Sequence, residues 1–182
     1  MTIPDEFYHV LNRGTLKQNI FFEPDNYRFF FKRLIENLKK YKPVLHAYCL
    51  MPNHFHLILQ EKEEKGIAKT MHALQTSYAK AINKRLQRNG HLLQGTYKKK
   101  HISNNNYLLH LSRYIHLNPV EAGLVIQPEE WNYSSFQEYV GLRKNGQLIS
   151  DIIVSQFSDR RAYWDFVLDR NNDVDLGGLT LE

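Results

Sequence analysis

Hydrophobic and polar positions follow two rhythms along this chain. Phe7-Tyr8-His9-Val10-Leu11 is a short apolar run stopped by Asn12-Arg13-Gly14, which predicts a first strand. Glu23-Pro24-Asp25 then opens a helix with Asp25 as its expected cap. Phe29, Phe30, Leu34, Ile35 and Leu38 recur at helical spacing until Tyr41-Lys42-Pro43. Val44 to Met51 predicts a second strand, Pro52-Asn53 a tight turn, and His54 to Gln60 a third strand paired to the second. After the polar stretch Glu61 to Lys65, the helical period returns over Ile67 to Arg88. Ile67, Met71, Leu74, Tyr78, Ile82 and Leu86 form its apolar stripe, and Asn89-Gly90 ends it. Tyr97 to Ile102 predicts a fourth strand, lysine-rich as edge strands are. Asn106 to Asn118 reads as a short helix closed by Pro119. Another is expected over Ser134 to Val140, followed by a helical or partly ordered tail.

The order β-α-β-β-α-β is the ferredoxin-like arrangement. It predicts an α+β fold: a four-stranded antiparallel sheet with two helices on one face and extra C-terminal helices. The first and third strands then sit centrally, which puts His54 and His56 in mid-sheet. On the first strand, Phe7, His9 and Leu11 share one side and Tyr8 and Val10 the other.

Composition narrows the class. The chain has 182 residues and a single cysteine, Cys49, so an internal disulfide and a multi-cysteine zinc site are excluded. No apolar run approaches the ~20 residues of a membrane span. The stretch Met1 to Glu6 has neither the basic nor the apolar region of a signal peptide. A soluble cytoplasmic protein with no membrane partner is expected.

Charge changes the picture more. The net charge of +5 hides a segregation. From Gly66 to Pro119 there is no Asp or Glu, yet the stretch holds Lys69, Lys80, Lys84, Arg85, Arg88, Lys98, Lys99, Lys100 and Arg113. After Pro119 the sign reverses, with eleven acidic residues against five basic ones. Such a block is either a solvated basic face or the footprint of a phosphate-rich partner. Its length, and the Tyr, His and Asn interleaved in it, favour nucleic acid.

The candidate chemistry starts at His54-Phe55-His56. Alternate side chains of a strand share a face, so the two imidazoles lie side by side with Phe55 turned away. They can serve one metal ion, or they can simply be two hydrogen-bonded histidines. Tyr114 and Asn118, four residues apart, sit one above the other on their helix. If that helix meets the histidine face, two imidazoles and an amide oxygen surround one point beside a phenol. A divalent ion there would polarise a phosphate, and a tyrosine oxygen could attack it. Lys98, Lys99 or Lys100 could favour the ionised phenol.

The run His46-Ala47-Tyr48-Cys49-Leu50-Met51-Pro52-Asn53-His54-Phe55-His56-Leu57 resembles the core motif of the single-tyrosine HUH transposases, nearest to their REP-associated branch. Three further stretches agree. Tyr8-His9-Val10 with Asn12-Arg13-Gly14 resembles that family's opening strand. Arg113-Tyr114-Ile115-His116-Leu117-Asn118-Pro119-Val120 with Ala122-Gly123-Leu124 resembles its nucleophile helix, and Trp131-Asn132-Tyr133-Ser134-Ser135-Phe136 its C-terminal block. The resemblance runs over residues 7 to 141, implying a transposase domain over 1–141 and a C-terminal helical tail over 142–182.

The resemblance implies that His54 and His56 bind metal, Asn118 is the third ligand and Tyr114 is the nucleophile. It also implies Mg²⁺ or Mn²⁺, a single-stranded or hairpin DNA substrate, and a 5′-phosphotyrosine intermediate. One departure stands out: relatives commonly carry an Arg where Tyr97 stands, followed here by Lys98, Lys99 and Lys100. Arg13, Lys84, Arg85, Arg88, Tyr97, Lys98, Lys99, Lys100 and Arg113 are the expected DNA contacts, with Tyr97 and Tyr107 as base-stacking surfaces. Two other readings stay open. One is a non-catalytic DNA-binding module. The other is a zinc hydrolase on His54, His56 and a further histidine such as His9. Relatives include monomers and dimers, so monomer and homodimer both remain expectations.

Overall fold

The computed structural model describes residues 5–144 and 151–169. The expectations for the first four residues, and for the rest of the tail, lie outside the described residues. Four strands, β1 (Phe7–Arg13), β2 (Val44–Met51), β3 (His54–Gln60) and β4 (Lys98–Ile102), form one sheet in the order β2-β3-β1-β4. All neighbours are antiparallel, so β1 and β3 are central. The register sets Leu11 opposite His56 and Arg13 opposite His54.

The pleat gives the sheet two faces. Tyr8, Val10, Tyr48, Leu50, Phe55, Leu57 and Leu59 point to α1 (Pro24–Tyr41) and α2 (Gly66–Arg85), where they meet Phe30, Leu34, Met71, Leu74 and Tyr78. Ala47, Cys49, Met51 and Ile58 point the other way, to α3 (Asn105–Glu121) and a C-terminal group of helices. That group comprises α4 (Phe136–Tyr139) and α5 (Arg160–Leu168). The two helices of the ferredoxin-like unit thus share one face, and the later helices cover the other. Phe30 and Phe55 are fully buried against one another. Truncating either to alanine is the kind of change that costs ~3–5 kcal/mol.

Several local expectations are corrected. Asp25 does not cap α1: Glu23 occupies the cap position, and the Asn26 side chain accepts from Phe22 N. The apolar stripe of α2 stops at Ile82, because the helix ends at Arg85 and Leu86 is exposed. Pro119 does not close α3, which runs on to Glu121. Proline removes one backbone bond there, near the end of the helix, and the burial of Ile115, Asn118 and Pro119 in the core holds the turn in place. Ala122 caps the helix, and just beyond it Gly123 takes a φ of +67° in the left-handed region, with Leu124 N returning to Pro119 O.

The β2 edge is covered by the segment 133–135. Leu50 N donates to Tyr133 O, Ser135 N donates to Tyr48 O, and Trp131 Nε1 donates to Leu50 O. No described helix is long and apolar enough to cross a membrane.

Candidate active site

Strand alternation and the sheet's second layer bring four expected residues together. His54 and His56 project from β3 on the face covered by α3, with ring centroids 4.9 Å apart. His54 Nε2 lies 3.1 Å from Asn118 Oδ1. Tyr114, one turn earlier on α3, sets its ring edge-on to His56 with centroids 5.6 Å apart. His56 is fully buried, Asn118 nearly so, and His54 and Tyr114 are partly exposed.

The hydrogen bonds fix where the lone pairs are. Asn53 Nδ2 donates to the Lys17 carbonyl, so its Oδ1 is the atom 2.6 Å from His54 Nδ1. An amide oxygen only accepts, so His54 Nδ1 carries the proton. His54 Nε2 is then a bare lone pair, and it faces Asn118 Oδ1, another acceptor. Burial, opposed by the Asn118 contact and assisted by Arg13, brings the His54 pKa down to about 4, so the ring is neutral near pH 7. Two facing lone pairs repel unless a cation joins them. A spacing of about 3 Å is also that of neighbouring ligands around an octahedral ion with ~2.1 Å bonds. His56 Nε2 is buried beside them with no hydrogen-bond partner among the described residues. Burial, then His9 and His54, hold the His56 pKa well below its usual value. This donor set fits a divalent cation.

Sequence reasoning gave His9 no part here except as a third zinc ligand. It stands behind His56 instead: His9 Nε2 is 2.9 Å from His56 Nδ1, and the rings stack. Among the described residues, no three His, Cys, Asp or Glu side chains converge into a metal cluster. The zinc triad therefore does not assemble in the described structure. The diagonal placement of His9 and His56 depends on the β1–β3 register, which a single sequence does not reveal.

The expected DNA contacts divide. Arg13 lies beside the site, its Nε donating to Gln94 Oε1, and it lines a small cleft with Asn12, Gln94 and Lys98. Alternation along β4 puts Lys98 and Lys100 on the histidine face and Lys99 on the other, with its Nζ 4.5 Å from the Tyr8 ring centroid. Lys84 and Arg85 are exposed at the end of α2, where Arg85 pairs with Glu23 at 2.7 Å. Arg88 donates to Gln18 and lies over Phe22. Tyr97 is half-buried against the α1–α2 core. Tyr107 is partly buried against the other core, with Lys100 over its ring.

Arg113 is corrected outright. It is 6% exposed, and its guanidinium donates to the carbonyls of Phe166 and Asp169 at the end of α5. It ties α5 to the tyrosine helix rather than facing solvent. His116, fully buried, extends the tie: Nδ1 is 2.7 Å from Tyr163 Oη and Nε2 is 2.7 Å from Ser135 Oγ. Tyr163 Oη also meets Ser112 Oγ at 3.1 Å.

Comparisons relate the chain to known transposases. The family described as "Transposase IS200 like" matches residues 4–118, a stretch that includes His54, His56, Tyr114 and Asn118. A Haemophilus influenzae protein described as a candidate REP-associated tyrosine transposase is 30% identical over 105 residues, 52% of this chain and 59% of that protein. The chain thus spans about three fifths of the length of the relative it matches. Among solved structures, a REP-associated tyrosine transposase bound to a REP hairpin superposes with a TM-score of 0.67 at 18% identity, over 78% of this chain and 82% of that one. At that identity the likeness establishes the fold. The family match covers most of the chain, the whole sheet and the tyrosine helix as far as Asn118, and on that ground the protein belongs to the IS200-like transposase family.

Proposed function

We propose that this protein is a DNA strand transferase and nickase acting on single-stranded or hairpin DNA, with Tyr114 as its nucleophile. One observation carries the reading. Two imidazoles, the Asn118 carboxamide and the Tyr114 ring meet at one point between β3 and α3, in a family of transposases. The related structure solved with a REP hairpin supports hairpin DNA as the substrate class. Basic side chains near the site, Arg13, Lys98 and Lys100, give phosphates a landing surface.

His54, His56 and Asn118 would hold Mg²⁺ or Mn²⁺. Such an ion supplies positive charge to a bound phosphate and stabilises the charge that develops on its oxygens. The chain's own residues do the rest. Arg13 and Lys98 orient the backbone. Tyr114 Oη loses its proton and attacks phosphorus, forming a 5′-phosphotyrosine as the bond to the 3′ oxygen breaks. That oxygen takes up a proton and leaves as a free 3′-OH. The ester keeps the phosphodiester energy, so attack by another 3′-OH rejoins DNA and restores the phenol without a nucleotide cofactor.

Replacing Tyr114 with Phe tests the reading. The variant is expected to form no covalent adduct on a labelled hairpin oligonucleotide in denaturing gels. Its affinity for the same oligonucleotide should stay within about threefold of the parent. Adduct formation by the variant would move the nucleophile elsewhere.

A further inference from the structure

His9 is wholly buried at mid-strand on β1, and the chemistry above leaves it without a part. Flanked on that side of the sheet by Leu11 and Ile58, with Lys100 opposite it on β4, it does not merely fill space. Instead His9 Nε2 is 2.9 Å from His56 Nδ1, with ring centroids 5.1 Å apart and planes at 20°. Two neutral imidazoles joined by one hydrogen bond have two proton arrangements. In the first, His56 donates from Nδ1 and keeps a bare lone pair on Nε2. In the second, His9 donates, and His56 carries its proton on Nε2. Only the first leaves His56 able to ligate a cation through Nε2. The bond also sets the rotation of the ring. A planar imidazole held at Nδ1 can aim Nε2 in one direction only, here beside His54; that atom is buried with no hydrogen-bond partner among the described residues, as is His9 Nδ1, which carries the His9 proton in the first arrangement.

We propose that His9 is a positioning residue that accepts the Nδ1 proton of His56. It thereby holds the His56 Nε2 lone pair toward the point where His54 Nε2 and Asn118 Oδ1 meet. The inference rests on the reading of these three residues as ligands of a divalent ion. His9 touches neither substrate nor ion; it acts through His56, as outer partners of metal-bound histidines do.

The test uses the full-length protein stripped of metal. Mn²⁺ binding is followed by the loss of the free-ion electron paramagnetic resonance signal. His9→Phe keeps the ring volume and removes the acceptor, whereas His9→Gln restores one. His9→Phe is expected to weaken Mn²⁺ binding by about 10- to 100-fold, the usual cost of losing such a partner. His9→Gln should recover much of the loss. With Mg²⁺ added to ¹⁵N-histidine-labelled protein, His56 should carry its proton on Nδ1.

Equal Mn²⁺ affinity in the parent and His9→Phe overturns the inference while leaving the ion reading intact. Equal impairment in both variants also overturns it, since His9 would then only pack. So does a His56 proton on Nε2 with Mg²⁺ bound, a measurement on the parent that holds even if His9→Phe fails to fold. A parent protein that binds no Mn²⁺ overturns the ion reading, and this inference with it.

Discussion

At the scale of single residues, the informative groups are buried histidines. Burial brings His9 and His116 to a pKa of about 3 and His46 to about 4, with Lys100 adding to the effect at His9. In the unfolded chain each sits near 6.5. The folded pKa values are depressed, so these groups contribute stability that is complete above pH 6.5. It is lost as the pH falls toward 4 and then 3, because the unfolded chain takes up protons that the folded one refuses. Each such histidine steepens the loss by about 1.4 kcal/mol per pH unit. Urea unfolding at pH 7, 6 and 5 should show stability dropping steadily, and His46→Gln should flatten the slope.

The sequence reaches this scale unevenly. The His54–His56 pair follows from strand alternation, and Tyr114 with Asn118 from helical spacing. Both are rules about neighbours in the chain. His9 and Arg113 escape them because their partners come from elements 47 and 53 residues away. An arginine inside a basic run looks like surface until the carbonyls that bury it are known.

At the scale of elements, α2 begins in a way its sequence does not announce. Glu61 belongs to a polar stretch, yet it is wholly buried, and its Oε1 accepts from Ile67 N at 2.9 Å. A carboxylate at the start of a helix satisfies a free N–H and meets the positive end of the helix dipole. Gly66 makes room for it: a Cβ there would lie 2.6 Å from Tyr41 O and 2.8 Å from Glu61 Oε1. Glu61→Ala should cost about 0.5–2 kcal/mol, the loss of a cap, read as a lower midpoint in thermal melts. The helix periods were legible because each amphipathic face meets one face of the sheet. The end of α3 was not, because Pro119 signals a stop that the surrounding core overrides.

At the scale of the whole molecule, the acid-free block folds onto two faces. Lys98 lies on the histidine side and Lys99 on the α2 side. Hairpin affinity should fall as salt rises, since each neutralised phosphate releases counterions. Lys98→Ala is expected to reduce the slope of log affinity against log salt by about 0.7–0.9, one phosphate contact. Lys99→Ala should leave it nearly unchanged. Equal effects of the two would mean that DNA wraps both faces. Sequence charge gives the sign and extent of the block, and only the pleat decides which lysines face the tyrosine.

The tie between α3 and α5 has a consequence in time. A ribosome completes the tyrosine helix well before it makes Tyr163, which lies 47 residues beyond His116. Until then Ser112, Arg113 and His116 lack the partners that α5 brings to them. A nascent chain therefore exposes a polar, unfinished flank on the helix that carries Tyr114. The flank of that helix is therefore completed only once α5 has emerged and docked.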